Sequence, residues 1–470
     1  MTIADLKLDR ASKTSLTEQI RLGIVGAIER GVLTPGARLP SWVTLAEQLG
    51  VARGTVKAAY ERLGDAQLVT SSRAEGTRVS DFSGSAARTA ARAGPPNTDI
   101  PSALYLHYLP GPAVFQMGVP ASDCFPNTLF ARLRARAARE EVEAPAAYPD
   151  PRGEHELRRE IAAHLALSRG IECHPSQIFI TGGFTGALGV ALRVVQAEGR
   201  QAWVEDPGFL PSRMALEISR VHTVPVPVDN EGMDIGYAQI NAPDAAIALV
   251  TPGQQAPLGA TLSLARRMQL LEWAKATNAW IIEDDYLGEL QLTRRAAPAL
   301  ASLDRAGRVI HIGSFSKTIS PTLRLGFAVV PPSLIPQFND AVACIGNAPG
   351  PAVQLATTEF MRDGHYMRHL RRMKRVYSSR SDTLLLALRR AGLDVHQTGL
   401  AVAVHLPDGA DDASIAREAY AYGIAPSPLS GWYYSASSRR SGLLLGVATA
   451  IEQQIPNACM RLQQVIKKFS

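Results

Sequence analysis

Between residues 178 and 312 the chain lays down five short apolar runs, each followed by polar or glycine-rich residues. They are Ile178-Phe179-Ile180, Ala202-Trp203-Val204, Ile247-Ala248-Leu249-Val250, Trp280-Ile281-Ile282 and Val309-Ile310-His311-Ile312. Apolar runs this short, without polar alternation, suit strands covered on both faces. Amphipathic stretches of helical length, such as Leu264–Ala276, lie between several of them. That rhythm points to an α/β fold with a mainly parallel sheet. Ligands of such sheets gather at the carboxyl ends of the strands, so the residues just past each run are where chemistry is expected.

Past the last run stand Ser314-Phe315-Ser316-Lys317, with Arg324 seven residues further on in Leu323-Arg324-Leu325-Gly326. A lysine beyond a strand end can form a Schiff base with an aldehyde cofactor if its ammonium pKa is lowered. Two serine hydroxyls and an arginine fork suit a phosphate. The run at 280 ends in Glu283-Asp284-Asp285-Tyr286. A protonated pyridine nitrogen needs a carboxylate, which Asp284 can supply, and Tyr286 can meet a phenolic oxygen. The same adjacent acids also suit a helix cap or a magnesium ion. Thr181-Gly182-Gly183-Phe184-Thr185-Gly186 opens an apolar helix, where backbone amides can meet an anion, although such turns also serve structure alone. Phe209, in Asp206-Pro207-Gly208-Phe209, can stack on a planar ring or pack in a core.

The first 80 residues read differently. Leu16, Ile20, Ile24 and Ile28 mark one helix face. Ser41 can cap a second helix carrying Leu45, Ala46 and Leu49, and Gly50 breaks the chain. Val56, Ala59, Tyr60 and Leu63 define a third stripe, and Leu68–Val79 reads as strand–turn–strand. This is the layout of a winged helix-turn-helix over 1–80. Residues 81–103 carry Ser83-Gly84-Ser85 and Gly94-Pro95-Pro96 with little periodicity, so they read as a linker. As a flexible coil it would average about 25–30 Å end to end. Residues 104–470 form the second domain.

A length of 470 residues allows two to four domains. The net charge of +6 permits nucleic-acid binding without establishing it. Cys124, Cys173, Cys344 and Cys459 are too scattered for a zinc site or disulfide framework, which fits a reducing cytoplasm. No apolar run reaches the ~18 residues of a membrane span, and Met1–Lys13 holds no signal-peptide core, so secretion and a membrane are not expected.

Several of these pieces occur together in one order: Tyr148-x4-Gly153-x3-Leu157-Arg158, Gly182-Gly183, Asp206–Phe209, Glu283–Tyr286 and Ser314–Lys317 with Arg324. Together they resemble a fold-type I pyridoxal-phosphate aminotransferase. Pro35-Gly36-x-Arg38-Leu39-Pro40-Ser41, Leu45-Ala46-x-x-Leu49-Gly50-Val51-x-Arg53-x-Thr55-Val56 and Ala59-Tyr60-x-x-Leu63 resemble a GntR-type head. The combination is similar to the MocR subfamily of transcriptional regulators. The resemblance implies a homodimer that binds pyridoxal phosphate and senses a small amine or amino-acid-like effector. It also implies that Lys317 carries the cofactor, Asp284 pairs with the pyridine nitrogen and Tyr286 meets the phenolic oxygen. Ser314, Ser316, Arg324, Gly183 and Phe184 would hold the phosphate, Phe209 would stack on the ring, and Tyr148 would reach the neighbouring subunit's phosphate. Arg53, Thr55 and Lys57 would open the recognition helix, with Arg38, Ser41 and Arg73 on phosphates of a double-stranded operator with two half-sites.

The sequence departs from these patterns at four places. Ala256 stands where aminotransferases carry asparagine, and Leu444 falls where catalytic relatives place a carboxylate-clamping arginine. In the head, Ala52 replaces a capping serine and Val43 an arginine. The leading expectation is therefore a regulator that recognises an amine, not an enzyme in turnover. A working aminotransferase with an accessory head, and a sensor of pyridoxal phosphate itself, are the competing expectations.

Overall fold

The computed structural model describes residues 8–12, 14–72, 76–80, 113–292, 297–346 and 348–469. It divides into two units, Met1–Pro110 and Gly111–Ser470. The segment read as a linker, 81–103, and Arg73 lie outside the described residues.

In the first unit, helices Leu16–Glu29, Trp42–Leu49 and Arg53–Asp65 precede a hairpin of β1 (Val69–Ser72) and β2 (Gly76–Val79). The stripes read from the sequence meet in one core: Ile20, Ile24, Leu45, Val56 and Leu63 are fully buried. Ser41 caps the second helix, accepting from the Thr44 backbone N–H at 3.1 Å. Gly50 ends that helix at φ 62°, a left-handed conformation that glycine adopts without strain, and this turns the chain into Arg53–Asp65. There the cap position is Ala52, in extended conformation and without a side-chain bond. An orphan amide is left to solvent. Ala52→Ser should supply the missing acceptor and stabilise the helix by about 1 kcal/mol. Native-state hydrogen exchange of the Arg53–Asp65 amides should slow about five-fold; unchanged protection would show that the cap site is already satisfied.

The second unit is built on an eight-stranded sheet. Its strands are β3 (Ile178–Thr181), β4 (Gln201–Asp206), β5 (His222–Asp229), β6 (Gly232–Met233), β7 (Ile247–Val250), β8 (Trp280–Asp285), β9 (Val309–Ser314) and β10 (Gly326–Val329). They lie in the order β3-β10-β9-β8-β7-β4-β5-β6. The pairs from β5 through β4, β7 and β8 to β9 are parallel. All five apolar runs are strands of this sheet. Alternate residues enter different cores: Val204, Leu249 and Ile282 on one face, Trp203, Ala248 and Ile281 on the other. On that second face Trp203 and Trp273 stack with ring centroids 3.9 Å apart. Antiparallel β10 inserts between β3 and β9, a pairing the run pattern did not include.

A smaller antiparallel sheet follows, ordered β11 (Val395–Thr398), β12 (Ala401–His405), β14 (Gly442–Gly446) and β13 (Ser427–Pro428). The long helix His365–Arg390 and the helix Ile455–Phe469 cover it. The four cysteines are free thiols. Among the described residues no helix is long and apolar enough to cross a membrane.

Candidate functional site

Strand register assembles the site. Gly326 at the start of β10 pairs with both Thr181 at the end of β3 and Ser314 at the end of β9. This brings the Gly182–Thr185 turn beside Ser314–Lys317, segments far apart in sequence. Their approach is close: a Cβ on Gly326 would lie 2.8 Å from the Gly183 Cα. Gly183, at φ 85°, caps the helix Phe184–Val194, whose first backbone amides have no partner within the helix. Arg324 donates to the Thr185 hydroxyl at 3.2 Å, and its guanidinium carbon lies 3.9 Å from where a Gly183 Cβ would stand. Ser314 Oγ accepts from the Ser316 N–H at 3.2 Å and donates to Ser316 Oγ at 3.1 Å. Guanidinium, hydroxyls and helix-end amides form a cup for an anion.

Lys317 is half-buried, and its Nζ donates to the Gly118 carbonyl at 2.5 Å. Desolvation pulls its ammonium pKa below the ordinary value, while the nearby Asp284 charge opposes that shift. A lysine so placed is easier to convert into a neutral nucleophile.

Along β8 the acids alternate between faces. Glu283 accepts from the Leu300 and Ala301 N–H groups at 2.7 and 2.9 Å and bonds His311 Nδ1 at 3.0 Å. Asp285 is paired with Arg169, Nε to Oδ2 at 2.6 Å. Both are committed to holding the fold. Asp284, between them, is 6% exposed and accepts no hydrogen bond from the described residues. Burial, reinforced by Asp285 and Glu205, pushes its carboxyl well above the usual range, and Lys317 counteracts. No group of three or more metal-ligating side chains occurs among the described residues.

Tyr286 is half-buried beside the buried Gln254 side chain, and burial next to Asp284 pushes the phenol well up. Gln254 thus meets Tyr286 in the loop where Ala256 offers no amide. Phe209 lines a cavity together with Glu205, Ser212, Arg213, Thr251 and Asp284. Its ring lies 6.5 Å from Phe184 and 6.1 Å from Trp432. Tyr148 is 102% exposed, so it touches nothing in the pocket of its own chain. Leu444 on β14 is 1% exposed and clusters with Ala403, Leu429 and Tyr433, with Met117 and Trp432 packed against them.

In the head, Arg53 and Lys57 are well exposed near the start of their helix, 3.6 Å from Glu47 and 3.8 Å from Glu61. Exposed pairs of this kind are weak and easily exchanged for a phosphate or base contact. Thr55 is half-buried on the same first turn. Ser41 is occupied as a cap, its hydroxyl also 2.7 Å from that of Thr44, and the Arg38 guanidinium packs where a Gly76 Cβ would fall, at 3.4 Å.

The structure thus gathers Lys317, Ser314, Ser316, Arg324, Gly183 and Phe184 around one strand-end level, with Asp284, Tyr286 and Phe209 on its neighbours. Four contributors were not singled out from the sequence. Thr185 sits two residues past Gly183, inside the quoted turn. Gln254 and Trp432 carry no local pattern. Glu205 is the first polar residue after an apolar run, the one available cue.

Comparison with known proteins agrees with this geometry. The family profile described as "Aminotransferase class I and II" matches residues 118–461, and "Bacterial regulatory proteins, gntR family" matches residues 16–79. The "Probable rhizopine catabolism regulatory protein MocR" of Rhizobium meliloti is 32% identical over 94% of this chain and 92% of its own. The "HTH-type transcriptional regulator TauR" of Rhodobacter capsulatus is 30% identical over 96% and 97%. The crystal structure of LysN, an alpha-aminoadipate aminotransferase from Thermus thermophilus complexed with N-(5'-phosphopyridoxyl)-L-leucine, superposes with a TM-score of 0.68. It is 26% identical and covers 76% of this chain and 92% of that one. A fold-type I aminotransferase-like body behind a GntR head, matched nearly end to end by such regulators, places the chain in the MocR subfamily of GntR-type transcriptional regulators.

Proposed function

We propose that this DNA-binding regulator detects an amine or amino-acid-like effector with pyridoxal phosphate held between Lys317 and Asp284. The observation that carries the reading is the Asp284 carboxylate: buried, without a donor among the described residues, and within the field of a lysine whose pKa is depressed. A protonated ring nitrogen is the partner such a carboxylate lacks, and the cup of Gly183, Phe184, Ser314, Ser316 and Arg324 suits the phosphate. The residues fit the group.

When bound, pyridoxal phosphate supplies an aldehyde that exchanges one amine for another and a ring that withdraws electrons. The protein's own residues do the rest. Arg324, the serine hydroxyls and the helix-end amides anchor the phosphate. Asp284 holds a proton at the ring nitrogen. Tyr286, beside Gln254, donates to the phenolic oxygen. Phe209 covers one ring face and excludes water. Lys317 would hold the cofactor through its Nζ, the amine with which an effector amine would compete.

Leu444 favours sensing over turnover. An α-carboxylate brought to that wall would meet an apolar cluster instead of a guanidinium, and an unpaired carboxylate is costly to bury. Arg439 and Arg440 are exposed, and Arg440 is felt by Tyr433 at the edge of that cluster. We further assign Tyr148 to the site of a second copy, making the working unit a homodimer that presents two recognition helices to two half-sites.

Operator binding by the full-length, cofactor-loaded protein tests this. Amines should change operator affinity by about 5–150-fold, whereas a keto acid added afterwards should not regenerate the starting state at enzymatic rates. A full response to pyridoxal phosphate alone would make the cofactor itself the signal. Equal affinity in every condition would defeat the proposal.

A further inference from the structure

Glu205 is a carboxylate that the reading above leaves without a task. It is the penultimate residue of β4, two strands from Asp284, with β7 and its extension at Thr251 between them. Both carboxylates line the cavity behind Phe209. Glu205 accepts from the Thr251 N–H at 3.1 Å, from the Thr251 hydroxyl at 2.5 Å and from Gln255 Nε2 at 3.4 Å. Among the described residues no lysine or arginine bonds it. Arg213, on the same cavity wall, is directed elsewhere: its guanidinium stacks 4.7 Å over the Tyr434 ring and lies 3.7 Å from Glu217.

We propose that Glu205 is a positioning residue that acts beside Asp284 to keep a proton at the cofactor's ring nitrogen to higher pH than Asp284 alone would. The proposal rests on the assignment of Asp284 to that nitrogen.

The charges and donors facing Glu205 are few. Thr251 and Gln255 favour its ionised form, and the charge it carries is felt by Asp284 and by Tyr286. Desolvation outweighs the hydrogen bonds and pushes Glu205 up to about 7. Below that pH it is neutral, and Asp284 alone of the two faces the ring with a negative charge. Above it, a second negative charge stands beside Asp284. A nearby negative charge favours the protonated, cationic form of a ring nitrogen, so an ionised Glu205, added to Asp284, keeps the ring-nitrogen proton in place to higher pH. Two coupled carboxylates of this kind titrate as a pair.

The experiment uses the full-length protein loaded with pyridoxal phosphate labelled at the ring nitrogen. Its nitrogen resonance and visible absorbance are followed from about pH 5.5 to about pH 9, a range that brackets neutrality. In Glu205→Gln, which keeps the amide-sized shape, the ring nitrogen should lose its proton at least about one pH unit earlier, a tenfold fall in proton affinity. Thr251→Val removes the hydroxyl donor and keeps the backbone one, so the step assigned to Glu205 should move to higher pH. A Glu205→Gln protein that titrates like wild type overturns the proposal. If that variant does not fold, an unmoved midpoint in Thr251→Val overturns it instead. Asp284→Asn separates the two levels. Weak cofactor binding there supports the underlying assignment whatever Glu205 does, and a wild-type titration there overturns both.

Discussion

Lys317→Ala is expected to erase the visible band of bound pyridoxal phosphate and the attachment of the cofactor that borohydride reduction traps. The effect should be complete, because the attachment needs an amine and Lys317 is the lysine placed beside Asp284 with a lowered pKa. Free cofactor should still bind weakly, since Arg324, the serine hydroxyls and the Phe184 helix end are untouched. Hybrid dimers formed from Lys317→Ala and Tyr148→Ala chains should recover one intact site, because each mutation spoils a different half of a shared pocket. A normal visible band in Lys317→Ala would remove the lysine from its role. Hybrids with no recovered band would instead place Tyr148 outside the neighbouring site.

Arg53→Ala should produce the second large effect, a loss of about 1–3 kcal/mol in discrimination between operator and random DNA, or roughly 5–150-fold. Arg53 is the first residue of its helix and projects into solvent, held by a 3.6 Å surface pair with Glu47. Its planar fork matches two acceptors on a guanine edge. Lys57, one turn further along, is a point charge suited to phosphate. Lys57→Ala should weaken specific and random binding alike and make the salt dependence shallower by about one counterion. Competition binding on a mapped operator at several salt concentrations reads both effects. Unchanged specificity in Arg53→Ala would move the reading role to another residue, and the cofactor band should be unaffected in either variant.

Much of this arrangement is legible in the residues, for physical reasons that vary from element to element. The five buried strands declare themselves because a strand covered on both faces has no polar alternation. Lys317 and Asp284 follow from the rule that chemistry gathers past strand ends. The head's three helices are legible from their stripes and from caps such as Ser41. Strand β10 escapes because Gly326–Val329 begins inside the arginine–glycine motif that already suggested a phosphate. Strand β5 escapes because Pro225 and Pro227 interrupt it, a pattern tolerated near the sheet edge. Glu283 and Asp285 look equivalent to Asp284 in sequence, and only their partners, His311 and Arg169, show that they brace the strand instead. Gln254, Glu205 and Trp432 act through tertiary contacts with β8, β7 and Phe209, which no local periodicity encodes.

The contact between Gly326 and Gly183 has a consequence for how this protein can change over generations. When two touching side chains are large, one can shrink as the other grows, and a lineage can wander between solutions. Here both partners are already the smallest residue, and the gap between them is backbone on one side and a missing Cβ on the other. A Cβ at Gly326 would fall 2.8 Å from the Gly183 Cα, and Gly183 is held at φ 85°, where other residues are strained. Any side chain at Gly326 pushes directly on the turn that caps the Phe184 helix, and so on the amides that complete the anion cup. At this contact the cup therefore has no gradual path of decay. A descendant either keeps Gly326 or displaces that turn in a single substitution.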